Sequence, residues 1–227
     1  MREIEENGQV AILIGHVPPG NADCLHAISE RLRALHDRFQ HIIRLNLFGH
    51  THYEEFEVIR AVEDDKPIGT NHITSSFTPH QNQNPAIRAI TLDVKTKLPI
   101  KIETYTMDLV AANKNDEDAK FKLSHEISEE YEIPDLSPTS MLYLSSRIKV
   151  DDSLASKYMI NMLAHGKGSD AYVKDGCDTK CRRMASCMTS FSDYRQSRKC
   201  FNIFDIDMFS ALSYLFDFMY GVWVNRN

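Results

Sequence analysis

Two short apolar runs in this chain each stop at a Gly-His pair, and the segment between them has helical spacing. The first run is Val10–Ile14, closed by Gly15-His16 and then Val17-Pro18-Pro19-Gly20. The second is Ile42–Phe48, closed by Gly49-His50-Thr51-His52. Neither proline can donate to a ladder, so the first run predicts a buried strand that ends abruptly. Between the runs, Leu25, Ile28, Leu32, Leu35 and Phe39 recur at helical intervals with charges between them, which predicts an amphipathic helix over Cys24–Gln40. Strand, helix, strand in that order is an α/β layer.

From Phe56 to Leu109 the pattern becomes β-rich. Phe56–Val62, Thr74–Thr78, Ile87–Val94 and Ile100–Met107 are separated by polar turns such as Asp64-Asp65-Lys66-Pro67, which predicts a run of antiparallel strands. Asn84-Pro85 and Leu98-Pro99 punctuate two strand entries. After Ala112 comes the polar linker Asn113–Asp118, and then helical character over Lys120–Tyr131 and Thr139–Ile148. Asp152 reads as the cap of a further helix that runs to about Leu163, with Gly166 and Gly168 after it. The fold class is α/β (α+β). Residues 1–112 form one unit and residues 113–227 a second, mainly helical one.

A chain of 227 residues can bury a sizeable core. Its net charge of -6 gives no electrostatic basis for nucleic acid as a partner. There is no apolar run of the length a transmembrane helix needs. The most apolar stretch, Ile203–Val224, is interrupted by Asp205, Asp207 and Asp217 and reads as an amphipathic or docking helix. Met1–Gly8 is charged and has no apolar core, so no signal peptide is expected.

The cysteines point to an oxidising compartment. Cys177, Cys181, Cys187 and Cys200 crowd together, and no pair has the C-x2-C spacing usual in zinc knuckles. A disulfide-stapled segment is the better reading, with the pairing open at this point. Cys24 is the odd fifth. Its partner lies elsewhere, or it is a buried thiol.

The chemistry is carried by histidines at strand ends. A strand end is a rigid platform, and the loop beyond it faces the cleft where α/β proteins bind ligands. Neutral imidazole is a good ligand for zinc, iron or manganese. Two histidines at i and i+2 past a strand can each reach a different ion of a two-metal site. One Gly-His pair alone means little. Two of them at strand ends, flanking an amphipathic helix, are far more specific.

Taken jointly, these blocks resemble the last two motif blocks of the calcineurin-like metallophosphoesterases. Gly15–Gly20, then Phe48-Gly-His-Thr-His-Tyr-Glu-Glu-Phe-Glu-Val58, resembles the acid sphingomyelinase-like branch. Asn84-Pro-Ala-Ile-Arg88, Leu92-Asp93, Tyr131–Pro138 and the cysteine spacing are similar to it too. The likeness covers roughly residues 10 to 202. It implies that residues 1–112 are the C-terminal part of a metallophosphoesterase β-sandwich flanked by helices. It implies that residues 113–227 are a helical, disulfide-stapled C-terminal domain.

The implied activity is hydrolysis of sphingomyelin to ceramide and phosphocholine by a sphingomyelin phosphodiesterase-like enzyme with two Zn2+ ions. His16 and His50 would ligate one zinc and His52 the other. The resemblance further implies the disulfides Cys177–Cys181 and Cys187–Cys200, an unpaired Cys24 whose partner lies upstream in relatives, and a secreted or lysosomal location. His80, in the Ser75–His80 loop where relatives line the substrate cleft, is a candidate contact to the phosphate or headgroup, weighed against a solvated loop residue; the same two readings apply to His72 near that loop, and His26, His36 and His41 read as structural or solvated. Lys180, Arg182 and Arg183 form a small basic patch that could meet an acidic lipid surface, a peripheral membrane contact.

The sequence departs from the family pattern in one respect. It has no Asp-x-His, Gly-Asp or Gly-Asn-His block. Two adjacent divalent cations repel, and carboxylates normally offset that repulsion. Three neutral histidines bring no negative charge. The chain on its own is therefore expected to hold at most one zinc, weakly, to contain no catalytic residue of its own, and to be inactive. The rival readings are a nucleotide or other small-phosphodiester hydrolase of the same family and a non-catalytic secreted binding paralogue.

Overall fold

The computed structural model describes residues 1–201, so the apolar stretch at 203–224 lies outside the described residues. A short helix α1 (Arg2–Glu6) precedes β1 (Ala11–Ile14), α2 (His26–Phe39) and β2 (Ile43–Phe48). β1 and β2 are parallel, as the predicted strand–helix–strand layer requires. β3 (Glu55–Arg60) and β4 (Pro67–Ile73) complete the first sheet in the order β1-β2-β4-β3. β4 runs parallel to β2 and antiparallel to β3. β5 (Ala86–Leu92), β6 (Pro99–Thr106) and β7 (Lys122–Glu126) form a second, antiparallel sheet, with α3 (Leu109–Ala112) between β6 and β7.

Then come α4 (Ile127–Tyr131), α5 (Pro138–Val150), α6 (Asp152–Met162), α7 (Asp170–Asp175), α8 (Thr179–Ser190) and α9 (Tyr194–Phe201). Met141, Leu144 and Ile148 line one stripe of α5 and are fully buried. They pack with Phe56 and Val58 of β3, Ile102 of β6, Ala155 and Met159 of α6, and Ala185 of α8. Each of the larger side chains in this set, Val, Leu, Ile, Phe and Met, contributes about 1.5–3 kcal/mol. Cys177 pairs with Cys181 and Cys187 with Cys200. Cys24 is free and partly buried, and burial pushes its thiol up.

Four sequence expectations are corrected. Thr74–Thr78 is a loop, and the strand is Pro67–Ile73 instead. Lys122–Glu126, expected to be helical, pairs with β6 as β7; the helix starts only at Ile127, where the Glu126 carboxylate accepts from the Glu129 amide. The cap of α6 is Asp151, whose side chain accepts from the Leu154 amide, and Asp152 is its first helical residue. The apolar stripe is only part of the inner face of α2. His26, Ser29 and His36 are buried and Leu32, Leu35 and Phe39 half-buried, while Ile28, and Leu25 at the helix entry, are exposed. The polar face is satisfied by specific bonds: His36 to Asn46, and the Ser29 hydroxyl to the Ser192 carbonyl. Arg33 on the same helix donates to the Arg60 carbonyl.

Candidate metal centre

Gly15 extends the ladder beyond β1, its amide donating to the Leu47 carbonyl. A Cβ there would lie 2.5 Å from the Phe48 ring. That close packing explains the first glycine without reference to a metal. The Gly49 amide donates to the His16 carbonyl, so the two strand ends are tied to each other directly.

His16 and His50 meet. His16 Nε2 lies 3.3 Å from His50 Nδ1, with the rings nearly perpendicular. His50 Nε2 lies 2.9 Å from the Asp23 carboxylate. The carboxylate can only accept, so it sets His50 as the Nε2–H tautomer. His50 Nδ1 is then free to accept from His16 Nε2–H. Asp23 was missed in the sequence, because a single aspartate in a polar loop gives no periodic or motif signal. The loop orients it: the Asn21 side chain accepts from the Asp23 amide, and the Asn21 amide donates to the Pro18 carbonyl.

His50 and His52 both have positive φ, 72° and 66°. Non-glycine residues there cost energy that surrounding structure must hold in place, and such outliers gather at functional sites. Replacing His50 by glycine or by alanine removes the same imidazole contacts, so their difference reports the backbone alone. His50→Gly is expected to be more stable than His50→Ala by about 1 kcal/mol. Urea unfolding checks this; equal midpoints would show an unstrained backbone.

His52 points elsewhere. Its ring packs edge-on against His80 with centroids 5.4 Å apart, and its Nδ1 is buried without a hydrogen-bond partner. The Gln83 side chain and the Ser76 amide both donate to the His52 carbonyl, so the loop after β4 wraps this residue. His80 is exposed at the rim. His72, read as a headgroup contact or a solvated loop residue, is instead on β4 and 2% exposed. Burial pushes it down to about 3, so it is neutral.

Behind the histidines stand three buried carboxyl groups, Glu54 at the entry to β3 and Glu55 and Glu57 on the strand itself. Burial alone would raise Glu54; Arg88, with His125 and Thr104, overcomes this and takes it down to about 2. Burial raises Glu55. Burial raises Glu57 to about 8, against the lowering effect of bonds from Asn71 and Gly20.

Among the described residues, no group of three or more His, Cys, Asp or Glu is arranged to hold a metal ion. The pair His16–His50 does suit one. Two imidazole nitrogens on a tetrahedral zinc with Zn–N of about 2.0–2.1 Å lie roughly 3.3–3.4 Å apart, which is the separation of His16 Nε2 and His50 Nδ1. Asp23 then stands as the outer carboxylate that orients a ligating histidine.

Comparison with known proteins adds the following. The family model described as the acid sphingomyelin phosphodiesterase C-terminal region matches residues 66–206. Sphingomyelin phosphodiesterase B of Dictyostelium discoideum is 32% identical over 164 residues, which is 69% of this chain and 26% of that protein. Sphingomyelin phosphodiesterase A of the same organism is 27% identical over 208 residues, 89% of this chain and 34% of that protein. The cyclic GMP-AMP phosphodiesterase SMPDL3A of Bos taurus is 25% identical over 162 residues, 66% of this chain and 36% of that protein. The chain thus spans about a quarter to a third of the length of these relatives.

Proposed function

We propose, from the premise that this chain belongs to the acid sphingomyelin phosphodiesterase C-terminal region family, that it is the C-terminal part of a zinc-dependent phosphodiesterase. Its substrate is sphingomyelin, and the products are ceramide and phosphocholine. The observation that carries this reading is the convergence of His16 and His50, from two strand ends, to a nitrogen–nitrogen distance of 3.3 Å.

His16 Nε2 and His50 Nδ1 are the atoms that would hold the metal, and His52 supplies a donor to a second ion. When bound, zinc supplies Lewis acidity at a phosphoryl oxygen and a water of lowered pKa. Asp23 keeps the His50 proton on Nε2, so that Nδ1 stays available as a donor atom. His80, exposed beside His52, is placed to meet the phosphodiester or its headgroup. The two disulfides favour a secreted or lysosomal setting.

The 227-residue chain alone is expected to bind at most one zinc and to hydrolyse no phosphodiester. Two neutral histidines and one exposed aspartate do not offset the charge of two cations. Metal content after dialysis should fall in a His50→Ala variant, and bis-p-nitrophenyl phosphate should not be turned over above a zinc blank. Zinc-dependent turnover by the chain alone that disappears in His50→Ala would show the chain to be a complete enzyme. Joining the chain to the preceding part of the Dictyostelium phosphodiesterase B tests the enzyme reading itself, with sphingomyelin release of phosphocholine as the readout. The similarity to a cyclic dinucleotide phosphodiesterase favours a small phosphodiester as the second candidate substrate, and the same chimera assayed on both compounds separates the two.

A further inference from the structure

One loop, running from Gly15 to Cys24, carries both His16 and Asp23 to His50. Its ends are tied to the histidine cluster, but its middle is held from outside it. The Gly20 amide donates to both oxygens of Glu57, at 3.1 and 3.2 Å. Glu57 is 7% exposed and sits in the middle of β3. Its Oε2 also accepts from the side chain of Asn71, the residue opposite it on β4. A carboxyl group buried here costs free energy that an apolar residue of the same size would not.

The far side of the loop is closed as well. A Cβ on Gly20 would lie 2.5 Å from Glu57 Oε1 and 3.0 Å from the Phe191 carbonyl. Gly20 is therefore held between a side chain of β3 and the backbone that links α8 to α9. That link is itself fixed to β3. The Ser192 amide donates to the Val58 carbonyl, and Arg60 donates to the Ser190 carbonyl with its guanidinium over the Phe191 ring. Pro18 and Pro19, just before the clamped residue, are buried and stiff.

We propose that Glu57 is a positioning residue of the histidine centre: it clamps the loop at Gly20, against the Phe191 backbone, and so sets His16 and Asp23 on the two ring nitrogens of His50. This rests on the reading of His16 and His50 as a metal pair, and it predicts an effect that is measurable with no metal present. A residue that merely filled the core would affect stability and leave the His50 tautomer alone.

The test is long-range 15N–1H correlation of the imidazoles in the metal-free 227-residue chain, with His50 assigned by His50→Ala. The wild type is expected to show His50 as the Nε2–H tautomer. Glu57→Gln keeps an acceptor for the Gly20 amide and should preserve that signal. Glu57→Ala should give the averaged signal of a free histidine, faster exchange of the Gly20 amide, and zinc binding weakened about 10- to 100-fold, the range found when outer-sphere partners of a ligand are lost. If Glu57→Ala does not fold, Gly20→Ala retains Glu57 and drives a methyl into its carboxylate, and the same loss of the His50 signal is expected. A folded Glu57→Ala or Gly20→Ala chain that keeps the Nε2–H tautomer overturns the proposal, as does a wild type that lacks it. A wild type that has the tautomer and binds no zinc refutes the metal reading alone and leaves the clamp standing.

Discussion

Glu54→Ala should lower the stability of this chain by about 3–5 kcal/mol, the range for removing one partner of a buried ion pair. Glu54 is 4% exposed, and its two cationic or imidazole partners are buried with it: Arg88 at 3.0 Å and His125 at 2.7 Å. Thr104 donates to the same carboxylate at 2.6 Å. These three partners form one cross-strand row of the second sheet, Arg88 opposite Thr104 and Thr104 opposite His125. Glu54 enters from the first sheet, so a single carboxylate ties the two sheets together. Its removal leaves Arg88 charged in the interior with, among the described residues, only the Ile73 carbonyl as a remaining acceptor on the same guanidinium. The midpoint of thermal unfolding should fall by roughly 10 °C. A fall of under about 1 kcal/mol would mean that the row is held by packing and not by charge.

The pH dependence follows from the same group. The folded value of Glu54, about 2, lies below the ordinary glutamate value of 4.5. The stabilisation is thus fully present above about 4.5 and is lost as pH falls toward 2. Acid unfolding of the wild type should steepen over that window, and Glu54→Gln should flatten it.

Opening Cys187–Cys200 should be the next largest change. It closes a span of 13 residues, which in the loop-entropy picture gives about 3 kcal/mol, against about 2 kcal/mol for the 4-residue span of Cys177–Cys181. The longer bridge also attaches α9 to α8, and α9 packs on α2. Urea unfolding of the two Cys→Ser pair variants checks the order. A larger loss from Cys177–Cys181 would place the stabilisation in the packing around Cys177, which is fully buried, and not in chain entropy.

The sequence made the strand ends readable because they carry a local signal: a short apolar run, a glycine, a histidine. β1, α2 and β2 follow from that alone. β7 was not readable, because Lys122–Glu126 is a strand only by virtue of the free edge of β6. The inner face of α2 was readable only in part for a related reason. Periodicity finds the apolar stripe, whereas the bonds of His36 and Ser29 are made to residues 10 and 163 positions away. The same applies within the site. His16, His50 and His52 stand in motifs, and the structure brings the first two together. Asp23 and Glu57 act through loop and cross-strand geometry, for which no spacing rule exists, and His72 gives no sign in the sequence that its strand is covered on both faces.

The first strand has a consequence for anyone who purifies the chain. Among the described residues β1 pairs on one side only, with β2, and Ile12 and Ile14 are 45% and 80% exposed. A row of unpaired amides beside uncovered isoleucines is a template for another strand. Concentrated solutions of the isolated chain should therefore turn hazy where dilute ones stay clear, and four residues, Ala11–Ile14, set that solubility limit.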